Sequence, residues 1–211
     1  MTIKLDVPVI GILRDVESSF FGDIMRASFD AGLQAIEVTM NTENAAQIIS
    51  VWRASVPSGK LLGAGTVRNI DEAKKAADAG AMFFVTPNTD VLVIEYALSI
   101  NIPVIAGALT PTEVYQAWYA GSDMVKIFPC GPFGPDYIKD LLGPFDKIPL
   151  VAVGGVNLSN VEKYFMAGVK AVGVSASLFG KQALEEKNIE TLSQNVKQFV
   201  EHCIKINYRL Y

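Results

Sequence analysis

Two ionisable residues stand in unusual places. Lys126 lies within Met124-Val125-Lys126-Ile127-Phe128, an otherwise apolar run that reads as a buried parallel strand. Burying an ammonium is costly, so the pKa of this amine is expected to fall and its neutral form, a nucleophile toward carbonyls, to be populated. Two structural readings compete: the alkyl stem packs while the head emerges at the strand end, or a buried carboxylate holds the charge. Glu37 is the only ionisable group in Ala35-Ile36-Glu37-Val38-Thr39. Strand alternation puts Glu37 and Thr39 on one face and Ile36 and Val38 on the other. A carboxylate and a lysine facing one interior suit acid/base work, or else form a structural ion pair that keeps the lysine protonated and inert.

Other candidates sit where apolar runs end. Gly63-Ala64-Gly65-Thr66 and Val85-Thr86-Pro87-Asn88 offer close backbone approach and hydroxyl donors for a carboxylate or keto oxygen, although both are also ordinary turn material. Val153-Gly154-Gly155-Val156-Asn157 and Gly173-Val174-Ser175-Ala176-Ser177 could cradle a phosphate on backbone amides, or simply permit tight turns. Arg14 is placed to grip a carboxylate or phosphate, or to sit solvated on a rim. Phe128, Phe133 and Trp118 read as packing residues rather than base stackers.

The elements that must carry these groups repeat regularly. Eight short apolar runs alternate with helical segments: Val7–Leu13, Ala35–Thr39, Leu61–Ala64, Met82–Thr86, Val104–Ala106, Met124–Phe128, Leu150–Val153 and Ala171–Ser175. The intervening segments Asn44–Ser55, Asp71–Ala79, Asp90–Ser99, Thr112–Ala120 and Ser159–Ala167 carry apolar residues at helical spacing. Ala-Gly pairs at 31–32, 79–80, 120–121 and 167–168 mark repeated helix ends. This pattern predicts an α/β protein, one compact (β/α)8 TIM barrel over residues 1–211, with its site at the carboxyl ends of the strands. An open doubly wound sheet is the rival, but Gly11-Ile12-Leu13-Arg14 lacks a dinucleotide fingerprint.

Composition narrows the chemistry. With one histidine, His202, neither a Ser-His-Asp or Cys-His nucleophile nor a zinc site built from several imidazoles can be assembled. Cys130 and Cys203 offer neither a disulfide framework nor paired metal-ligand spacing, so no metal or cofactor is expected. Eighteen basic and 22 acidic residues give a net charge of −4 without a basic run, which argues against nucleic acid as a partner. Apolar runs of roughly four to seven residues fall far short of the ~20 needed to span a bilayer. Asp6 and Pro8 interrupt the apolar amino-terminal stretch, which reads as a strand rather than a signal peptide. A cytoplasmic location is expected.

Five linked motifs, Ala35-Ile36-Glu37-Val38-Thr39, Gly63-Ala64-Gly65-Thr66-Val67, Val85-Thr86-Pro87-Asn88, Lys126-Ile127-Phe128-Pro129 and Val153-Gly154-Gly155-Val156, occur in one order. Through them nearly the whole chain resembles the bacterial aldolases acting on 2-keto-3-deoxy-6-phosphogluconate and 4-hydroxy-2-oxoglutarate. The resemblance implies a class I, metal-independent lyase of carbohydrate metabolism, in the Entner–Doudoroff pathway, that cleaves a 2-keto acid to pyruvate and glyceraldehyde 3-phosphate or glyoxylate. It also implies a homotrimer. By the same resemblance Lys126 is the Schiff-base lysine and Glu37 the general acid/base. Thr66 and Pro87 line the pyruvate moiety, Phe128 is the aromatic beside the lysine, and Gly154, Gly155 and the Ser175 region bind phosphate.

Two departures bear on substrate. Asn41 stands where phosphogluconate-type members carry arginine, and Ala176 falls at a family serine that contacts phosphate. Asn41, Arg14 and the segment from Phe128 to Lys139 also resemble relatives that cleave the galactonate epimer. A phosphate-barrel isomerase or epimerase without a covalent lysine is the competing reading, as is a non-catalytic sugar-phosphate binder.

Overall fold

The computed structural model describes residues 3–210, with side-chain surroundings for residues 3–206; positions 1, 2 and 211 of the expected domain lie outside the described residues. Strands and helices alternate as the sequence predicts. The strands are β1 (Val9–Leu13), β2 (Ala35–Thr39), β3 (Leu61–Gly65), β4 (Phe84–Val85), β5 (Val104–Ala108), β6 (Met124–Ile127), β7 (Leu150–Val153) and β8 (Ala171–Val174). The helices after the first four strands are α1 (Ser18–Asp30), α2 (Ala45–Trp52), α3 (Ile70–Asp78) and α4 (Val91–Ser99). After β5, β6 and β7 come α5 (Pro111–Tyr119), α6 (Gly134–Leu142) and α7 (Val161–Met166). Beyond β8 lie α8 (Ala176–Phe179), α9 (Lys181–Glu185) and α10 (Ile189–Leu210).

All neighbouring strands pair in parallel, and β8 returns to β1, closing a (β/α)8 barrel. Closure disposes of the open-sheet alternative. Strand alternation then divides the apolar residues into two layers. Ile36, Val38, Leu62, Ala64, Val125 and Ile127 face outward into the annulus beneath the helices. Ile10, Ile12, Ala35, Phe83, Val85, Ile105, Val151, Val153 and Ala171 fill the barrel. Ile3 joins this inner cluster, and its N–H donates to Asp123 Oδ1 at 3.3 Å, tying the amino-terminal segment to the barrel. Each large side chain so buried contributes roughly 1.5–3 kcal/mol before entropy is counted.

Local chemistry sets the element ends. Asn69 caps α3 by accepting from Glu72 N–H, and Asp90 caps α4 by accepting from Leu92 and Val93. Thr110 and Glu113 form a capping box on α5, with Pro111 in its first turn. At the other ends, Gly32, Gly80, Gly121 and Gly168 all have φ between 86° and 106°, and the residue after each donates back to the last helical turn.

Where boundaries differ from expectation, side chains explain it. The helix expected over Ser159–Ala167 begins at Val161, because Asn157 Oδ1 accepts from Ser159 N–H at 2.9 Å and holds the preceding residues in a turn. The expected Asn44–Ser55 helix tightens to a 3-10 turn over Arg53–Ser55. Met82–Thr86 shortens to two paired residues, although Met82 N–H to Leu62 O and Thr86 N–H to Ile105 O continue the ladder beyond them.

Candidate active site

A cavity of about 310 Å³ opens at the carboxyl ends of the strands, lined by Glu37, Lys126, Arg14, Thr66, Phe128, Gly154, Gly155 and Ser175 among others. Its floor is the inner apolar layer just described. Its room comes from glycine at inward strand positions. A Cβ on Gly65 would lie 2.3 Å from Glu37 Oε1, and one on Gly107 would lie 2.4 Å from the Pro87 carbonyl carbon. A Cβ on Gly173 would meet Val153 at 2.8 Å. Side chains there would fill the space that the cavity and its neighbours occupy.

Lys126 and Glu37 both point inward and are 5% and 1% exposed. Lys126 pairs in register with Gly107 and Val151, and Glu37 with Ile12 and Gly63. Burial dominates the ionisation of both. It drives the Glu37 carboxyl up to about 7, against the attraction of Lys126 and Arg14. It drives the Lys126 amine below its ordinary range, opposed by Glu37 and reinforced by repulsion from Arg14. Desolvation therefore pushes both groups toward their uncharged forms. The ion pairs among the described residues lie elsewhere, and Glu37 Oε2 has no hydrogen-bond partner. This is not the saturated Glu–Lys bridge of the structural alternative. It is a protonatable carboxyl on β2 and an amine on β6 that line one cavity from opposite sides of the barrel, with Nζ 4.8 Å from the centroid of the Phe128 ring.

Thr66 lines the cavity with φ +52°, a left-handed conformation that costs a β-branched residue of order 1–3 kcal/mol. Thr39 and Pro87 are not among the lining residues. The Thr39 hydroxyl shares a 2.9 Å hydrogen bond with Thr42, whose Oγ1 also accepts from Asp15 N–H at 3.0 Å, so it braces the loops after β1 and β2. Pro87 instead packs its backbone against Gly107. Arg14 and Ser175 also border a second pocket of about 240 Å³. Asn41 is exposed, Ala176 and Ser177 line the cavity, and Phe133 packs on Tyr137 at 5.1 Å between centroids.

By sequence the hydroxyl after β4 is offered to substrate, whereas the structure gives it a bracing role. Thr86 Oγ1 accepts from Gly107 N–H at 2.9 Å and donates to Asn88 O at 2.6 Å, while Thr89 Oγ1 donates to Gly107 O at 2.8 Å. The threonines of Thr86-Pro87-Asn88-Thr89 thus clamp the strand position beside Lys126. The inward glycines had a usable signal, because Gly107 and Gly173 fall on the same alternation parity as the inward Ile105 and Ala171.

A closed (β/α)8 barrel whose mouth holds a desolvated lysine and carboxyl defines an enzyme of the carbonyl-processing barrel class. Residues 3–195 match the family model for KDPG and KHG aldolases, those of 2-keto-3-deoxy-6-phosphogluconate and 4-hydroxy-2-oxoglutarate. The chain belongs to this family and is an aldolase, a lyase. It is 33% identical over 203 residues to the 2-dehydro-3-deoxy-6-phosphogalactonate aldolase of Escherichia coli K12, covering 95% of this chain and 98% of that one. A solved structure described as native KDPGal superposes with a TM-score of 0.91 and 31% identity, over 99% and 100% of the two chains. KDPG aldolase from Legionella pneumophila superposes with a TM-score of 0.85 and 25% identity, over 91% and 93%. That protein was crystallised with pyruvate captured as a covalent carbinolamine.

Proposed function

We propose that this chain is a class I aldolase that reversibly cleaves a 2-keto-3-deoxy-6-phospho sugar acid to pyruvate and glyceraldehyde 3-phosphate through a Schiff base on Lys126. The observation that carries the reading is the burial of Lys126 and Glu37 in one cavity, from opposite sides of the barrel, without an ion pair between them. The neutral amine adds to the C2 ketone, and the carbinolamine loses water with Glu37 passing protons, leaving an iminium. Glu37 as carboxylate then takes the C4 hydroxyl proton while the C3–C4 electron pair moves into the iminium. Glyceraldehyde 3-phosphate departs and an enamine remains. Protonation at C3 and hydrolysis return Lys126 and release pyruvate. No step requires a metal or cofactor.

Thr66 and Phe128 suit the pyruvate end, with Thr39 and Pro87 as the supports of that wall. Arg14, Gly154, Gly155 and the Ser175 segment suit the phosphate. Among the described residues the backbone N–H groups of Gly155, Val156, Ala176 and Ser177, all on the lining, have no protein acceptor. Unpaired donors converging on a cleft suit an anion.

Sequence alone put the gluconate epimer first; the relative spanning 95% of the chain favours the galactonate one. The expected result is a higher kcat/KM for 2-keto-3-deoxy-6-phosphogalactonate than for the gluconate epimer or 4-hydroxy-2-oxoglutarate. A reversed ratio would assign the enzyme to the gluconate substrate of the Entner–Doudoroff pathway. The reading places the protein in the cytoplasm; among the described residues no helix is long and apolar enough to cross a membrane.

The reading also makes it a homotrimer. Leu92 on α4 and Tyr115, Trp118 and Tyr119 on α5 are exposed together, Tyr119 at 81% and Leu92 at 66%, an apolar surface that a second copy would cover. Sedimentation equilibrium is expected to give three times 22.8 kDa, with Tyr119→Asp lowering the mass.

A further inference from the structure

The loop after β7 is shaped by side chains that take no other part in the proposed chemistry. Gly154 and Gly155 are consecutive left-handed residues, φ +93° and +83°. Their carbonyls are both engaged. Cys130 Sγ donates to Gly154 O at 3.1 Å, and Asn160 Nδ2 donates to Gly155 O at 2.9 Å, with Asn157 Nδ2 a longer second donor to the same carbonyl at 3.4 Å. In a trans peptide unit the C=O and the following N–H point to opposite sides. Holding these two carbonyls away from the cavity therefore turns the N–H groups of Gly155 and Val156 toward it, and among the described residues neither has a protein acceptor.

Asn160 is oriented unambiguously, because its Oδ1 accepts from Asn157 N–H at 2.8 Å and so its amide nitrogen must face Gly155. It occupies the N-cap position of α7 yet makes no capping bond, its side chain being committed to the loop instead. Cys130 is fully buried, and burial pushes its thiol up, keeping the donor proton at neutral pH. On the opposite side Gly131 fits closely, since a Cβ on Gly155 would sit 3.1 Å from Gly131 Cα.

We infer that Asn160 and Cys130 are positioning residues that aim the Gly155 and Val156 amides at the phosphate of the aldehyde half, and so set the preference for phosphorylated over unphosphorylated substrate. The inference rests on the phosphate reading above. It also links the loop following Lys126 to the phosphate loop, since Cys130 belongs to the segment that continues β6.

The test is the condensation direction, pyruvate with D-glyceraldehyde 3-phosphate or with D-glyceraldehyde, which needs no choice of C4 epimer. Asn160→Asp retains size and the acceptor for Asn157 but replaces the shorter of the two donors to Gly155 O with a repelling oxygen. Its kcat/KM ratio for phosphorylated over unphosphorylated aldehyde is expected to fall about 10-fold. Cys130→Ala should lower the same ratio, and Cys130→Ser, which restores a donor, should recover it. An unchanged ratio in Asn160→Asp overturns the inference, including when both substrates slow equally, because uniform loss marks a merely structural role. A wild-type enzyme with no preference for the phosphorylated aldehyde removes the phosphate reading itself, and the positioning role with it.

Discussion

Lys126→Ala is expected to lower kcat/KM for cleavage by about 10⁴-fold or more, with the barrel still folded. The nucleophile has no substitute at its position. Its neighbours across the ladders are Gly107 and Val151, and Arg14, which also lines the cavity, carries a delocalised guanidinium rather than an amine. The fold should tolerate the change. Burial disfavours the charged amine in the native state, so removing it relieves a desolvation cost while leaving a small void. An isomerase or epimerase working through Glu37 alone would retain substantial turnover in this variant. Circular dichroism with a steady-state assay separates the outcomes.

The second large effect concerns Glu37→Gln, which is expected to slow cleavage about 10²–10⁴-fold yet stabilise the protein at alkaline pH. The sign follows from burial. The carboxyl pKa rises from 4.5 in the unfolded chain to about 7 in the folded one, so the native state holds a proton that the unfolded state releases. Its contribution to stability is intact below 4.5, declines as pH rises through the interval, and has reached its full loss above 7. That loss is roughly 3 kcal/mol at most, and glutamine removes it. At pH 8 the variant's Tm should exceed wild type by roughly 5–10 °C, with the gap closing toward pH 4.5. A Tm unchanged at pH 8 would show that Glu37 is solvated or paired. In wild type, activity should rise through about pH 7 as Glu37 ionises to accept the C4 hydroxyl proton.

Much of this was legible in the sequence because two periodicities report directly on the fold. Ala35–Thr39 and Leu150–Val153 coincide with their predicted bounds, since each is a short, mainly apolar run with polar, proline or glycine residues at its ends. Glu37 and Lys126 were legible for the opposite reason: each breaks such a run at an inward position. The hydroxyls were not. Thr66 and Thr86 follow their strands in similar contexts, but Thr66 takes a left-handed backbone onto the cavity while Thr86 turns to bind Gly107 and Asn88. That difference depends on register between strands far apart in sequence. Asn160 was hidden for a related reason, because an Asn before a helix reads as an N-cap and only the three-dimensional loop shows its amide directed to Gly155.

The role of Lys126 decides the account. Incubating the enzyme with pyruvate and sodium borohydride, then mapping peptides by mass spectrometry, tests it directly. The prediction is loss of activity together with the mass of one reduced pyruvate on the peptide carrying Lys126 and on no other. An unmodified Lys126 peptide from enzyme that turns over substrate under the same conditions would contradict it.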